Sequence, residues 1–176
     1  MKVPTLVTER LSIEPMTRAH WEDYAAAWAD PRMTAFIGGE PRSRNTSWAK
    51  MLQGIGMWSL FGYGYWAFVE RASGRFVGNG GLAQFERGIN DLEGFPEAGW
   101  AFTPDAWGKG YATEAMTAIL GWADSTDLGE IRCIIDRGNM ASHKVAAKLG
   151  FTKFAESHDV IGDLFVYRRE PHQSLR

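Results

Sequence analysis

Gly99-Trp-Ala-Phe102-Thr-Pro-Asp-Ala-Trp107-Gly-Lys-Gly110-Tyr-Ala-Thr-Glu-Ala115 is the stretch on which the reading of the whole chain turns. It starts as a short strand, passes through a glycine-bearing loop and opens an amphipathic helix. Gly108 and Gly110 carry no side chain, so the backbone there takes positive φ at little cost and lets a ligand approach closely. The helix beyond begins with unpaired amide N–H groups and the positive end of its dipole. Free amides, open space and a helix N-terminus together make a seat for phosphate. An ordinary tight strand–helix connection would use the same glycines, so the flanking chain has to decide.

After the loop, Ala112, Ala115, Met116, Ile119, Leu120 and Ala123 recur at helical spacing, and Asp127-Leu-Gly129 ends the run. Ile131-Arg-Cys-Ile-Ile135 is a nearly continuous apolar strand, as expected where both faces are covered. A strand over Glu97 to Phe102, then a helix, then this strand implies a parallel pair with a right-handed crossover. Ligands of such units bind beyond the carboxyl ends of the strands. That rule brings the Gly108–Gly110 loop and Asn139 to the same end of the sheet.

Upstream, Arg10 to Met16 alternates as a first strand, and Thr17 caps a helix running through Trp28 that Asp30-Pro31 ends. Phe36 to Arg44 reads as a loop and Asn45 to Trp58 as a second helix. Gly62 to Glu70 and Arg75 to Ala83 read as strands joined at Ala72-Ser-Gly74. Gly78-Asn-Gly-Gly-Leu-Ala83 spells a dinucleotide fingerprint, but that motif needs a helix directly after it, and the polar run Gln84 to Asp91 follows instead. These glycines read as bulges or close backbone approach. Downstream, Ala141 to Leu149 is a short helix closed by Gly150 in the left-handed position. Phe151 to Ser157 and Asp163 to Arg169 form a last antiparallel pair, and Pro171 to Arg176 is a polar, frayed tail.

The 176 residues suit one domain, residues 1–176, with room for a sizeable core. Lys plus Arg number 19 against 21 Asp plus Glu, a net charge of −2 that argues against nucleic-acid or anionic-membrane binding. The single cysteine, Cys133, rules out an intrachain disulfide and fits a reducing, cytoplasmic location. Its mid-strand apolar setting marks it as a buried thiol rather than a nucleophile. His20, His143, His158 and His172 show no metal-ligand spacing, so no metal is expected.

Trp107-Gly-Lys-Gly-Tyr-Ala-Thr-Glu-Ala115 resembles the acyl-CoA-binding signature of the GNAT acetyltransferase superfamily, in particular the branch of ribosomal-protein N-terminal acetyltransferases. Gly110 and Ala112 fit the last two positions of its Gln/Arg-x-x-Gly-x-Gly/Ala pattern, while Trp107 stands where Gln or Arg is usual. Asn139-Met-Ala-Ser142-His-Lys-Val-Ala-Ala-Lys148-Leu-Gly-Phe151 is similar to the branch's downstream motif, in the right order and spacing. The resemblance runs from Leu11 to about Phe165. It implies an α/β (α+β) fold with a mixed, mostly antiparallel central sheet, one parallel βαβ unit and helices on both faces.

The same resemblance implies acetyl-CoA as cosubstrate, with its pyrophosphate on backbone amides of Gly108, Lys109, Gly110, Tyr111, Ala112 and Thr113. Trp107 would flank the cofactor. The pantetheine arm would lie along Phe102 and Thr103 like an added strand, and the Asn139 side chain would hydrogen-bond it. The acceptor would be a primary amine, on a protein N-terminus or a small molecule, attacking the thioester directly in a ternary complex. Phe36 and Trp58 would border its pocket, and Asp91, Glu93 and Glu97 would form an acidic patch attractive to polyamines. The amine must first lose a proton, the tetrahedral oxyanion needs a donor such as a backbone N–H near Phe102, and the departing thiolate leaves more easily when protonated. Glu97 is the candidate base and Ser142 the candidate acid. The alternatives are a solvated glutamate at a strand end and a serine satisfying local backbone. Lys109 either attracts the phosphates or is a solvated turn lysine, Tyr111 packs beside the cofactor or in the core, and Glu114 complements the helix dipole. A monomer or a homodimer would serve equally. A non-catalytic acyl-CoA-binding module on the same fold is the competing reading.

Overall fold

Glycines placed opposite aromatic rings shape the middle of the sheet. The computed structural model describes residues 2–159 and 162–171. Its strands are β1 (Leu6–Val7), β2 (Leu11–Pro15), β3 (Tyr65–Glu70), β4 (Phe76–Ala83), β5 (Glu97–Phe102), β6 (Ile131–Asp136), β7 (Thr152–Asp159) and β8 (Gly162–Arg169). They form one sheet in the order β1-β2-β3-β4-β5-β6-β8-β7. Neighbours pair antiparallel except β5 and β6, which are parallel. Across β4, Gly78 lies between Phe68 and Phe102, whose rings stack at 5.0 Å. Gly81 lies between Tyr65 and Gly99, and a Cβ on Gly99 would strike the Tyr65 hydroxyl. A Cβ on Gly78 would strike the Ala101 carbonyl. Close approach, not a nucleotide, is what these strand glycines serve.

Helices α1 (Trp21–Trp28), α2 (Pro31–Thr34) and α3 (Arg44–Phe61) precede β3; α4 (Tyr111–Ser125) links β5 to β6 and α5 (Met140–Lys148) follows β6. Helices lie on both faces. α4 and α5 bury Ala115, Met116, Ile119, Leu120 and Ala146, and the α5 C-cap adds Leu149, in a core with Phe68, Phe102 and Ile131. On the other face Tyr24, Trp28, Met33 and Met51 of α1 to α3 pack with Ala67, Phe76 and Ala101. Cys133 is buried in the first core, where desolvation and the nearby Glu97 charge push its thiol up.

Several boundaries differ from the sequence reading, each for a local reason. Thr17 opens a single 3-10 turn, Arg18–His20, before α1, and its N–H donates to His20 Nδ1 at 3.1 Å. Asp30 ends α1 and also starts α2, accepting from the Arg32 N–H at 2.8 Å with Pro31 in the first turn. Helix α3 runs past Trp58 to Phe61 because its cap is Gly62 at φ +78°. Gly150, at φ +82°, follows α5 as expected. The tail residues 172–176 lie outside the described residues.

Candidate active site

Gly110 caps α4 at φ +80°, and no side chain caps that N-terminus. Trp107, Gly108, Lys109 and Gly110 are all exposed, and a Cβ on Gly108 would meet nothing within 4 Å. Side chains therefore do not seal the turn. It is held from beneath instead. Arg10 donates from Nη1 to the Lys109 carbonyl at 2.8 Å and from Nε to Glu114 Oε2 at 2.7 Å. Glu114 Oε1 also accepts from the Thr8 hydroxyl at 2.6 Å and the Arg10 N–H at 2.8 Å. Nothing in the spacing of Arg10 announces this bracket, which depends on β2 lying beside α4. The Tyr111 ring is buried, with its hydroxyl donating to Glu70 Oε1 at 2.5 Å, while Arg10 and the turn's Lys109 lie over the ring at 4.8 and 5.8 Å from its centroid. Ala112 and Thr113 complete the first helical turn and are partly exposed.

The strands leading to this turn part as they approach it. Their parallel register holds one pair, Glu97 opposite Arg132, with the Arg132 N–H donating to the Pro96 carbonyl at 2.9 Å. On its other side β5 stays paired to β4 from Glu97 to Phe102. The Thr103 N–H donates to the Val77 carbonyl at 2.9 Å. Bonded positions alternate along an antiparallel ladder, so Ala98, Trp100 and Phe102 turn their main-chain groups toward β6. The Trp107 indole N–H takes the Phe102 carbonyl at 2.7 Å. The Trp100 N–H and C=O and the Phe102 N–H are left lining a wedge-shaped gap.

Asn139 and Ser142 stand across this gap, at the start of α5 just after the carboxyl end of β6. Asn139 is the N-cap, its Oδ1 accepting from the Ser142 N–H at 3.1 Å, so its amide NH2 is the part left to meet a ligand. The Ser142 hydroxyl is half-buried and makes no hydrogen bond among the described residues. Phe36, half exposed, reaches over from the loop after α2, and a Cβ on Gly138 would lie 3.1 Å from its ring. Trp58 is not at this mouth. It is buried edge-on against Trp66 at 4.5 Å, with its indole N–H on the Tyr65 carbonyl.

Glu97 lies at the closed end of the wedge, 5% exposed. Arg87 grips both its oxygens, Nε to Oε2 and Nη2 to Oε1, each at 2.8 Å. Each oxygen keeps a second lone-pair direction. Burial, and then the Glu97 charge, push the nearby Tyr65 phenol well above its ordinary range. Of the three acids Asp91, Glu93 and Glu97, Glu97 is paired with Arg87, the main-chain carbonyl of Asp91 accepts from Arg132, and Glu93 is exposed. Among the described residues no group of His, Cys, Asp and Glu could hold a metal. No described helix is long and apolar enough to cross a membrane.

Beside Glu97, a groove of about 610 Å³ runs between α3 and the segment 84–87, lined by Lys50, Gln53, Met57, Phe61, Phe85 and Arg87. This is the size of a small-molecule site. It lies where β4 ends, hence at the amino end of antiparallel β5 and opposite the glycine turn.

The family model described as "Acetyltransferase (GNAT) domain" matches residues 10–152. The chain is 26% identical over 151 residues, 85% of its length and 83% of the relative's, to a protein of Bacillus licheniformis named "Uncharacterized N-acetyltransferase p20". Its fold is similar to that of an acetyltransferase from Agrobacterium tumefaciens strain C58, at TM-score 0.83 and 27% identity, covering 97% of this chain and 96% of that one. It is also similar, at TM-score 0.76 and 14% identity over 96% of this chain and all of the other, to a spermidine N-acetyltransferase from Vibrio cholerae solved with CoA and spermine. The family uses acetyl-CoA, and this chain is an N-acetyltransferase. Mixed sheet, parted parallel strands, glycine turn and family match agree: the chain belongs to the GNAT acetyltransferase family.

Proposed function

We propose that the chain transfers the acetyl group of acetyl-CoA to a primary amine by direct attack in a ternary complex. The observation that carries this reading is the uncapped α4 N-terminus, with Gly110 at φ +80°, beside a parallel pair that holds only one residue pair in register. The amides from Gly108 to Thr113 would hold the diphosphate, where the helix dipole adds to their hydrogen bonds. The Trp100 and Phe102 main chain and the Asn139 amide would hold the pantetheine arm. Acetyl-CoA supplies the activated carbonyl. A main-chain N–H of β5 lining the gap stabilises charge that develops on that oxygen, Ser142 donates its hydroxyl proton toward the leaving sulfur, and Glu97, at the opposite end of β5 from Phe102, takes the proton of the amine through bridging water.

Holding the amine against the thioester accounts for much of the acceleration by itself. The test is thiol release from acetyl-CoA across a panel of primary amines, alongside calorimetric binding of CoA. Turnover on one amine is expected. Tight CoA binding without turnover on any amine would favour a non-catalytic binding module instead.

A further inference from the structure

On the reading above, we infer that the acceptor is an amine carrying its own carboxylate, the chemistry of an amino acid, and that Lys50 is the residue that selects it. Lys50 lines the groove between α3 and segment 84–87 and also a small cavity with Tyr24, Tyr65 and Asn79. It therefore sits where the groove reaches the sheet face that bears Glu97. The charged groups here are Lys50, Arg42, Arg87, Glu86 and Glu97. Arg87 and Glu97 neutralise one another. Arg42 stacks 3.5 Å from the Trp28 ring centroid, and Lys50 donates to neutral Gln53 at 3.2 Å. Neither cation makes an ion pair among the described residues, and Glu86 is exposed. Desolvation, and then the like charges of Arg42 and Arg87, push the Lys50 ammonium down. The site thus holds surplus positive charge beside the point where the amine must arrive. A polyamine would be repelled from it. A carboxylate a few bonds from the nucleophilic nitrogen would be drawn to it and would fix the amine's direction.

The test measures kcat/KM by thiol release with the full chain, with Lys50→Met and with Lys50→Arg. The acceptors are α-amino acids paired with their α-amides, C-terminally amidated dipeptides whose second residue is Asp paired with those bearing Asn, and spermidine. Wild type should favour the carboxylate member by about tenfold or more and use spermidine least. Lys50→Met should bring the ratio close to one, Lys50→Arg should keep most of it, and acetyl-CoA affinity should be unchanged in both. The pair with the larger ratio tells a free amino acid from an acidic peptide. A ratio near one in wild type, or spermidine as the best acceptor, overturns the inference while leaving acetyl transfer in place. An unchanged ratio in Lys50→Met removes Lys50 from the selection. No turnover on any amine overturns the acetyl-transfer reading, and this inference falls with it.

Discussion

Both oxygens of Glu97 are engaged by the guanidinium of Arg87 at the narrow end of the wedge. A carboxylate so held has a fixed direction, which is what proton transfer needs, yet a positioning role would use the same geometry. The pH profile separates the two. If Glu97 takes the amine's proton, Glu97→Gln should lower kcat/KM by about 10²-fold below the acceptor's pKa. The loss should shrink as pH rises through that pKa, because the amine then arrives unprotonated. A loss that stays constant with pH would restrict Glu97 to orienting Arg87. The sequence exposes Glu97 because it opens a recognisable strand. It does not expose Arg87, Lys50, Arg42 or Tyr65. These come from separate segments that only the sheet register and α3 bring together, and neither spacing nor period links them.

At the scale of the element, α4 is the best-read part of the chain. Its apolar face, its glycine cap and its place between parallel strands all follow from residue spacing, because local propensity and tertiary packing agree there. The short pieces β1, the 3-10 turn and α2 escape that reading, since elements of two to four residues carry too few positions to show a period. Glu114 was legible as a first-turn acid but not as the partner of Arg10, 104 residues away in sequence. Burial opposes its charged form. The Thr8 hydroxyl and the Arg10 amide and guanidinium outweigh that and hold its carboxyl below the usual range. Its contribution to stability is therefore complete above the unfolded-state value of about 4.3 and is lost as pH falls through the lower folded value. Thermal melts between pH 7 and pH 3 should show wild type more stable than Glu114→Gln at neutral pH, with the difference closing below about pH 4. A difference independent of pH would contradict this account of the bracket.

Across the whole molecule, the far end of α4 is tied to the sheet by Arg169 and Asp124, whose side chains are 6% and 12% exposed and bond at 2.9 and 2.6 Å. Removing one charge of a buried pair leaves the other uncompensated. Asp124→Asn should destabilise the fold by about 3 kcal/mol, roughly 6–12 °C in Tm for a chain of this size. Acetyl-CoA affinity should be unchanged, since the pair lies at the opposite end of α4 from the glycine turn. A loss of affinity without a loss of Tm would place this pair in the binding machinery instead. The general plan of the fold was legible because the strand–helix–strand unit fixes handedness and the ligand end together. The groove beside Glu97 was not, because its walls, α3 and the segment 84–87, are separate in sequence and no period links them.

Main-chain amides at the start of α4 holding the diphosphate is the claim on which the rest depends. Amide NMR of the full chain titrated with CoA and, separately, with pantetheine tests it most directly. The largest CoA-induced shifts should fall on Gly108 and on Gly110 to Thr113, and pantetheine, which lacks the diphosphate, should leave those amides nearly unmoved. Saturable CoA binding that shifts other amides while leaving these in place would contradict the account.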